Sequence, residues 1–127
     1  MKIAALIARY LLGLVFLVFG LNGFLHFIPM QPLPPGPAGQ FLTALFASHF
    51  VFVVSAVQLA GGLLLLVNRY VPLALVLLGS VIVNILFFHL LMDRRGLPLA
   101  IVVVILWGIL FLRHRQHFSG IFVQRTS

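Results

Sequence analysis

Five hydrogen-bonding side chains interrupt the long apolar stretches of this 127-residue chain and are the first candidates for chemistry. They are Asn22, His26, Gln58, Asn84 and His89. Inside hydrocarbon, a polar side chain that faces lipid costs free energy, so such residues usually face protein or a cavity. The sequence therefore predicts that these five residues either bind a ligand or join helices to one another.

Two functions are open for the amide side chains. Gln58 shares a helical stripe with Ser48 and Ser55, and a hydrogen bond from Gln58 to Asn84 would join two helices. Alternatively, both amides bind the polar oxygens of a ligand, with His26 or His89 as the proton acceptor. In that hypothesis three aromatic side chains form the apolar wall of the site: Phe16, Phe87 and Phe88.

His89 and Asp93 are four residues apart, a spacing that places two side chains on one face of a helix. A carboxylate beside the imidazole would orient it as a group that accepts a proton near neutral pH, so the pair is a candidate proton relay. Asp93 is the single acidic residue of the chain and directly precedes Arg94 and Arg95. The alternative is an interfacial turn in which Asp93 neutralises one of these arginines.

His26 and His89 are both expected near the outer membrane face, which raises the question of metal or haem ligation. No carboxylate or cysteine completes a ligand set around them, and the chain contains no cysteine. We therefore expect no metal site, and haem is disfavoured. His114 and His117 belong to the basic tail and are expected on the surface. Arg9 has no acidic neighbour and is expected to anchor the first helix to lipid phosphate.

The elements that position these residues follow from the composition. Hydrophobic residues make up 63% of the chain and charged residues only 7%, against about 25% charged in soluble domains. Each long uncharged run can supply the roughly 20 apolar residues of a membrane span, and a proline-rich stretch divides the longest run. We predict a single all-α domain, an integral membrane four-helix transmembrane bundle. Its helices cover about 3–28, 40–67, 72–92 and 98–112, with a proline-rich outer loop over 29–39 and a basic cytoplasmic tail over 113–127.

Four crossings place both termini on one side of the membrane. That side carries six basic residues, and the other side carries only Arg94 and Arg95; the six are Lys2, Arg9, Arg69, Arg113, Arg115 and Arg125. The positive-inside rule then predicts cytoplasmic N and C termini in a bacterial-type cell inner membrane. The net charge of +7 is scattered and forms no patch, so nucleic acid is not an expected partner. The first apolar run is too long for a cleaved signal peptide.

Three stretches resemble the DoxX/DoxX-like family of small four-helix membrane proteins over about residues 9–93. They are Arg9-x3-Gly13-x2-Phe16-x3-Gly20, then Gln58-Leu59-Ala60-Gly61-Gly62, and Asn68-Arg69-Tyr70-Val71-Pro72 with the later Asn84-Ile85 and Phe88-His89. Many relatives carry a basic residue near the end of the first helix, where this chain has Gly23. The resemblance implies a four-helix bundle and a link to quinones, since the family is associated with a terminal quinol oxidase and with thiosulfate:quinone oxidoreduction.

We therefore predict a protein that binds a small lipophilic molecule such as a quinone and serves as an accessory to a membrane oxidoreductase. Whether it is itself an enzyme stays open, because the sequence shows no nucleophile, metal set or paired acids. The alternative is a non-catalytic assembly or scaffold subunit without a ligand. Transport is disfavoured, since no carboxylate is expected in the membrane interior for ion coupling. Expected partners are the lipid bilayer and either an oxidoreductase or a second copy of the chain, packed through the Gly13 and Gly20 face.

Overall fold

The computed structural model describes residues 2–28 and 32–126, which contain five α-helices. These are α1 (Lys2–Leu25), α2 (Pro37–Ala47), α3 (Phe50–Leu66), α4 (Val71–Leu91) and α5 (Leu97–Arg113). Short 3-10 helices cover Arg94–Gly96 and Arg115–Phe122. Three helical segments are long and apolar enough to cross a membrane, and the pair α2 and α3 makes a fourth if it is counted as one bent span. The predicted all-α class is confirmed.

The helix bounds agree closely with the sequence for α1, α4 and α5. Pro72 and Pro98 each lie in the first turn of their helix, where a missing backbone N–H costs no hydrogen bond. The predicted loop over 29–39 is shorter in the structure, because α2 already begins at Pro37. Residues 29–31 of that loop lie outside the described residues.

The helix predicted over 40–67 is divided in two. α2 and α3 meet at Ser48 and His49 with a bend of 85°. His49 has a φ of 64°, the left-handed conformation that commonly ends a helix. The Ser48 hydroxyl accepts a hydrogen bond from the Phe50 backbone N–H at 3.3 Å and donates to the Leu45 carbonyl at 3.4 Å. Local hydrogen bonds therefore replace the helical ones at the break.

The four long helices form a closed ring in the order α1, α3, α4, α5. α2 lies across the end of the ring at which α3 begins. Neighbouring helices run antiparallel: Arg9 near the start of α1 contacts Leu65 near the end of α3, and Trp107 of α5 contacts Leu75 of α4. One end of the ring, called the basic end here, holds Lys2, Arg69 and Arg113. The opposite end holds His26, α2 and Asp93 and is called the cavity end.

Glycines bring α1 and α3 into backbone contact. A Cβ atom at Gly62 would lie 2.7 Å from the Leu17 nitrogen and 2.8 Å from the Gly13 carbonyl oxygen. One at Gly20 would lie 2.7 Å from the Leu59 nitrogen. The Gly13 and Gly20 face is therefore used inside the chain. The sequence offers this face for contact with a second copy of the chain, but α3 already covers both glycines.

The C-terminal tail folds back onto the bundle at the basic end. Phe118 is buried and packs against Phe111, with ring centroids 5.1 Å apart, and Phe111 stacks on Trp107. His114 is half-buried and donates from Nδ1 to the Leu110 carbonyl at 3.0 Å, whereas His117 is exposed. The sequence places both histidines on the surface; His114 departs from that expectation because its ring caps the end of α5.

Candidate functional site

A cavity of about 800 Å³ occupies the middle of the cavity end. All five helices line it, since it extends from the second half of α1 across to the first half of α5 under α2. Most of its wall is aliphatic or aromatic. Its polar side chains are few and include four of the five predicted ligand-binding residues: Asn22, His26, Gln58 and His89, joined by Ser55.

Gln58 and Ser55 bring hydrogen-bonding capacity to the wall formed by α3. Ser55 is only 3% exposed, and a Cβ at Gly23 would collide with its hydroxyl oxygen, so Gly23 makes room for it. Among the described residues, neither the Gln58 amide nor the Ser55 hydroxyl forms a hydrogen bond within the protein. Both groups are therefore available to a ligand, and an amide offers a donor and an acceptor together.

Asn22 and His26 lie where α1 ends. The Asn22 side-chain oxygen accepts a hydrogen bond from the Ile28 backbone N–H at 2.8 Å, which holds the chain as it leaves the helix. His26 has a φ of 52°, and its backbone N–H donates to the Asn22 carbonyl at 2.8 Å. Asn22 therefore caps the helix with its oxygen and keeps its amide N–H groups for the cavity.

His89 is held by the backbone of Asp93 rather than by its carboxylate. His89 Nδ1 lies 2.9 Å from the Asp93 carbonyl oxygen, and a carbonyl can only accept, so Nδ1 carries the proton. When the ring is neutral, Nε2 is its free acceptor. A Cβ at Gly96 would lie 2.2 Å from the His89 ring, so the glycine leaves space for the imidazole.

The Asp93 carboxylate pairs with Arg95 instead. Arg95 Nε donates to Asp93 Oδ1 at 3.0 Å and Nη2 donates to Oδ2 at 3.0 Å, in a bidentate ion pair. These bonds, together with the Arg95 backbone N–H, hold the pKa of Asp93 below its usual value. The predicted relay from His89 to this carboxylate thus has no direct hydrogen bond, because the two-residue spacing to Arg95 favours the closer ion pair.

Asn84 lies outside the cavity and shares a lining only with Gln58, which faces both spaces. It lines a separate groove between α3 and α4, of about 690 Å³, together with Ser80 and Phe88. Its Nδ2 atom donates to the Ser80 carbonyl at 2.8 Å, within its own helix, rather than to Gln58. Of the aromatic residues expected in the ligand wall, Phe16 lines the cavity and Phe88 the groove. Phe87 is exposed and lines neither.

The sequence predicts that Arg9 extends toward lipid phosphate, but the structure places its side chain inside the bundle. It is only 8% exposed, and its Nη1 atom donates to the Leu65 carbonyl at 2.5 Å and to the Leu66 carbonyl at 3.4 Å. These carbonyls lie in the last turn of α3, where helices lack internal donors and cations are stabilised. Arg9 therefore caps α3 and has no part in the cavity.

Ser55 and Gly96 belong to the site although the sequence does not single them out for it. Ser55 shares the polar stripe of its helix, and only the fold places it in the cavity wall, beside Gly23. Within residues 2–28 and 32–126, no three histidine, cysteine or acidic side chains come together as metal ligands. Comparisons of the chain with protein-family models, with curated proteins and with solved structures find no match.

Proposed function

We propose that this protein is a DoxX-like inner-membrane protein whose cavity binds a small lipophilic molecule such as a quinone. The observation that carries this proposal is the apolar cavity of about 800 Å³ with unused hydrogen-bonding groups on its wall. Ligand sites are typically concave, mostly apolar and supplied with a few placed polar groups. The volume lies within the usual range of about 300–1,000 Å³ for such sites.

The polar groups suit a neutral ring that carries oxygen atoms. The amide N–H groups of Gln58 and Asn22 are donors for a carbonyl oxygen, and the Ser55 hydroxyl adds a third. His89 Nε2 is an acceptor for a hydroxyl proton, as a reduced quinone would offer. The bound molecule would supply the redox chemistry. The chain itself would hold and orient it, and would accept a proton at His89.

This chemistry supports an accessory role beside a membrane oxidoreductase. The residues of the cavity can hydrogen-bond and accept a proton, and the electrons would come from the partner. The apolar helices and the basic residues at one end support insertion with four crossings and cytoplasmic termini. In this arrangement the cavity lies in the outer half of the bilayer, and α2 lies near its outer surface.

Binding of a tailless quinone tests the proposal. Purified protein in detergent micelles is titrated calorimetrically with 2,3-dimethoxy-5-methylbenzoquinone. Gln58→Leu removes the amide at nearly constant volume and is expected to weaken binding about 3- to 10-fold, because one hydrogen bond contributes about 0.5–1.5 kcal/mol. Gln116→Leu, in the exposed tail, is the matched control and is expected to bind as the wild type does.

Two outcomes would overturn the proposal. One is a wild-type protein that does not bind the tailless quinone. The other is equal affinity of wild type, Gln58→Leu and Gln116→Leu, which would mean that the molecule binds elsewhere.

An assembly subunit without a ligand remains the competing function. The observation in its favour is that the Asn22 side-chain oxygen and the Asn84 amide N–H both bond to nearby backbone, as in purely structural residues. This function predicts that Gln58→Leu lowers stability or recovery of a co-purified partner, while no quinone binds.

A further inference from the structure

The groove between α3 and α4 opens to the outside of the bundle. Its lining is apolar apart from four side chains, namely Ser48, Gln58, Ser80 and Asn84. Ser80, Asn84 and Val53 are exposed at its rim. Ser80 donates to the Leu77 carbonyl at 2.7 Å, and Asn84 donates to the Ser80 carbonyl. Because these donors bond to their own helix, the groove presents a mostly apolar surface to whatever lies beside it.

Only one layer of side chains separates this groove from the cavity. Five residues line both spaces, namely Leu42, Leu45, Val54, Gln58 and Ile85. Leu42 and Leu45 belong to α2, which therefore covers both the groove and the cavity. Gln58 is the polar member of the shared layer, so a head group bound at its amide would lie next to the start of the groove.

The charges of the two spaces restrict what can occupy them. Among the residues that the structure describes, no aspartate, glutamate, lysine or arginine lines the cavity or the groove. A phosphate-bearing head group would require cationic partners, as would a carboxylate. A neutral head with oxygen atoms has donors in the cavity, and an alkyl or isoprenoid chain fits the apolar groove.

We propose that the ligand is an amphiphile of the membrane, with a neutral oxygen-bearing head in the cavity and a long apolar tail lying in the α3–α4 groove. This inference rests on the proposed function and adds a second subsite to it. The tail passes beside Gln58 and under α2, and leaves the bundle between Val53 and Ser80. The groove is then the opening through which the molecule exchanges with the hydrocarbon phase.

The experiment compares two probes with the same head. One is 2,3-dimethoxy-5-methylbenzoquinone, and the other is its 6-decyl derivative; both are titrated into the full chain in the same micelles. The decyl probe is expected to bind at least about 10-fold more tightly, because its chain leaves water and detergent for a fitted groove. Ser80→Phe fills the groove from an exposed position and is expected to abolish that gain without changing the affinity of the tailless probe.

Val83→Phe is the matched control, since Val83 is an exposed residue of the same helix outside the groove. It is expected to keep the full gain, which corrects for partition of the decyl chain into micelles. Equal binding of the two probes to wild type would overturn the tail subsite while the cavity proposal stands. A gain that survives in Ser80→Phe, or is lost equally in Val83→Phe, would also overturn it. Failure of the tailless probe to bind wild type would overturn the proposed function itself.

Discussion

The two ends of the bundle are built in opposite ways. At the basic end, Leu12, Leu65, Leu75, Leu78 and Leu110 are fully buried, and α1 and α3 touch backbone to backbone. At the cavity end α1 and α3 stay in contact at Gly20 and Gly23, but the five helices leave a space of about 800 Å³ between them, and α2 is bent by 85° relative to α3. One sequence of apolar helices thus makes both a close-packed core and an open chamber.

The close-packed end stabilises the fold, and the open end carries the candidate ligand-binding groups. Close-packed interiors lose free energy steeply when a contact is changed, whereas residues that line a cavity have fewer neighbours to lose. The basic end therefore holds the helices together. The cavity end is free to carry amides and imidazoles whose hydrogen bonds are not all used within the fold.

Substitution of Gly62 by alanine is expected to have the largest effect on this comparison. The new Cβ would overlap backbone atoms of Leu17 and Gly13, which cannot move without separating α1 from α3. We expect a loss of about 3 kcal/mol in the free energy of unfolding, at the upper end of the usual cost of overpacking. Unfolding in mixed micelles, followed by the fluorescence of the single tryptophan, measures it.

Gly108→Ala is the control for that substitution. Gly108 lies within α5, and no atom lies within 4 Å of the position of an added Cβ. Alanine there is expected to be neutral or to stabilise the protein by up to about 1 kcal/mol, through its higher helix propensity. Similar losses for the two alanine variants would show that backbone contact at the basic end does not hold the fold.

Removal of the Arg9 side chain that caps α3 is expected to have the next largest effect on the free energy of unfolding. Arg9→Met keeps the length of the side chain but leaves the Leu65 and Leu66 carbonyls without this donor. We expect a loss of about 2 kcal/mol, since hydrogen bonds with a charged partner contribute about 1.5–3 kcal/mol. Arg69→Met, which removes an exposed cation at the same end, should cost far less in the same unfolding experiment. Equal losses would assign the effect to charge rather than to capping.

The smallest expected effect lies at the cavity end and depends on pH. Because Arg95 lowers the pKa of Asp93 in the folded protein, their pairing stabilises the fold above the pKa of an unfolded aspartate, about 3.9. That contribution is lost as the pH falls through the lower folded-state pKa.

Unfolding measured between pH 5 and pH 2 checks this effect, and Asp93 is the only acidic side chain that titrates. Arg95→Gln should weaken the acid dependence, whereas Arg94→Gln should retain it. An unchanged dependence in Arg95→Gln would contradict the ion pair.

The helices were largely predictable because hydropathy and proline position determine them. The runs between charged residues predicted α1, α4 and α5 to within a few residues, and prolines fixed the starts of α4 and α5. The break between α2 and α3 was not predictable in this way. Ser48 and His49 carry no glycine or proline signal, and the bend depends on a left-handed histidine and a serine side chain that bonds to nearby backbone.

The candidate site was predictable in its residue types but not in its grouping. Scarcity of polar residues was enough to select Asn22, His26, Gln58 and His89, which the structure places around one cavity. The same scarcity selects Asn84, yet Asn84 is exposed and lies in the neighbouring groove. The capping role of Arg9 could not be predicted, because it depends on where the α3 carbonyls lie in the fold. No spacing in the sequence encodes that position.

In the proposed membrane placement, the bend before α3 affects the lipid around the bundle. The 17 residues of α3 extend only about 26 Å, less than the roughly 30 Å of bilayer hydrocarbon, whereas the 24 residues of α1 extend about 36 Å. A bundle whose helices differ so much in length would thin the bilayer locally beside α3 and would tilt to bury α1. Acyl chains would then be least ordered along the side where α3 faces outward, which favours its placement in thinner membranes.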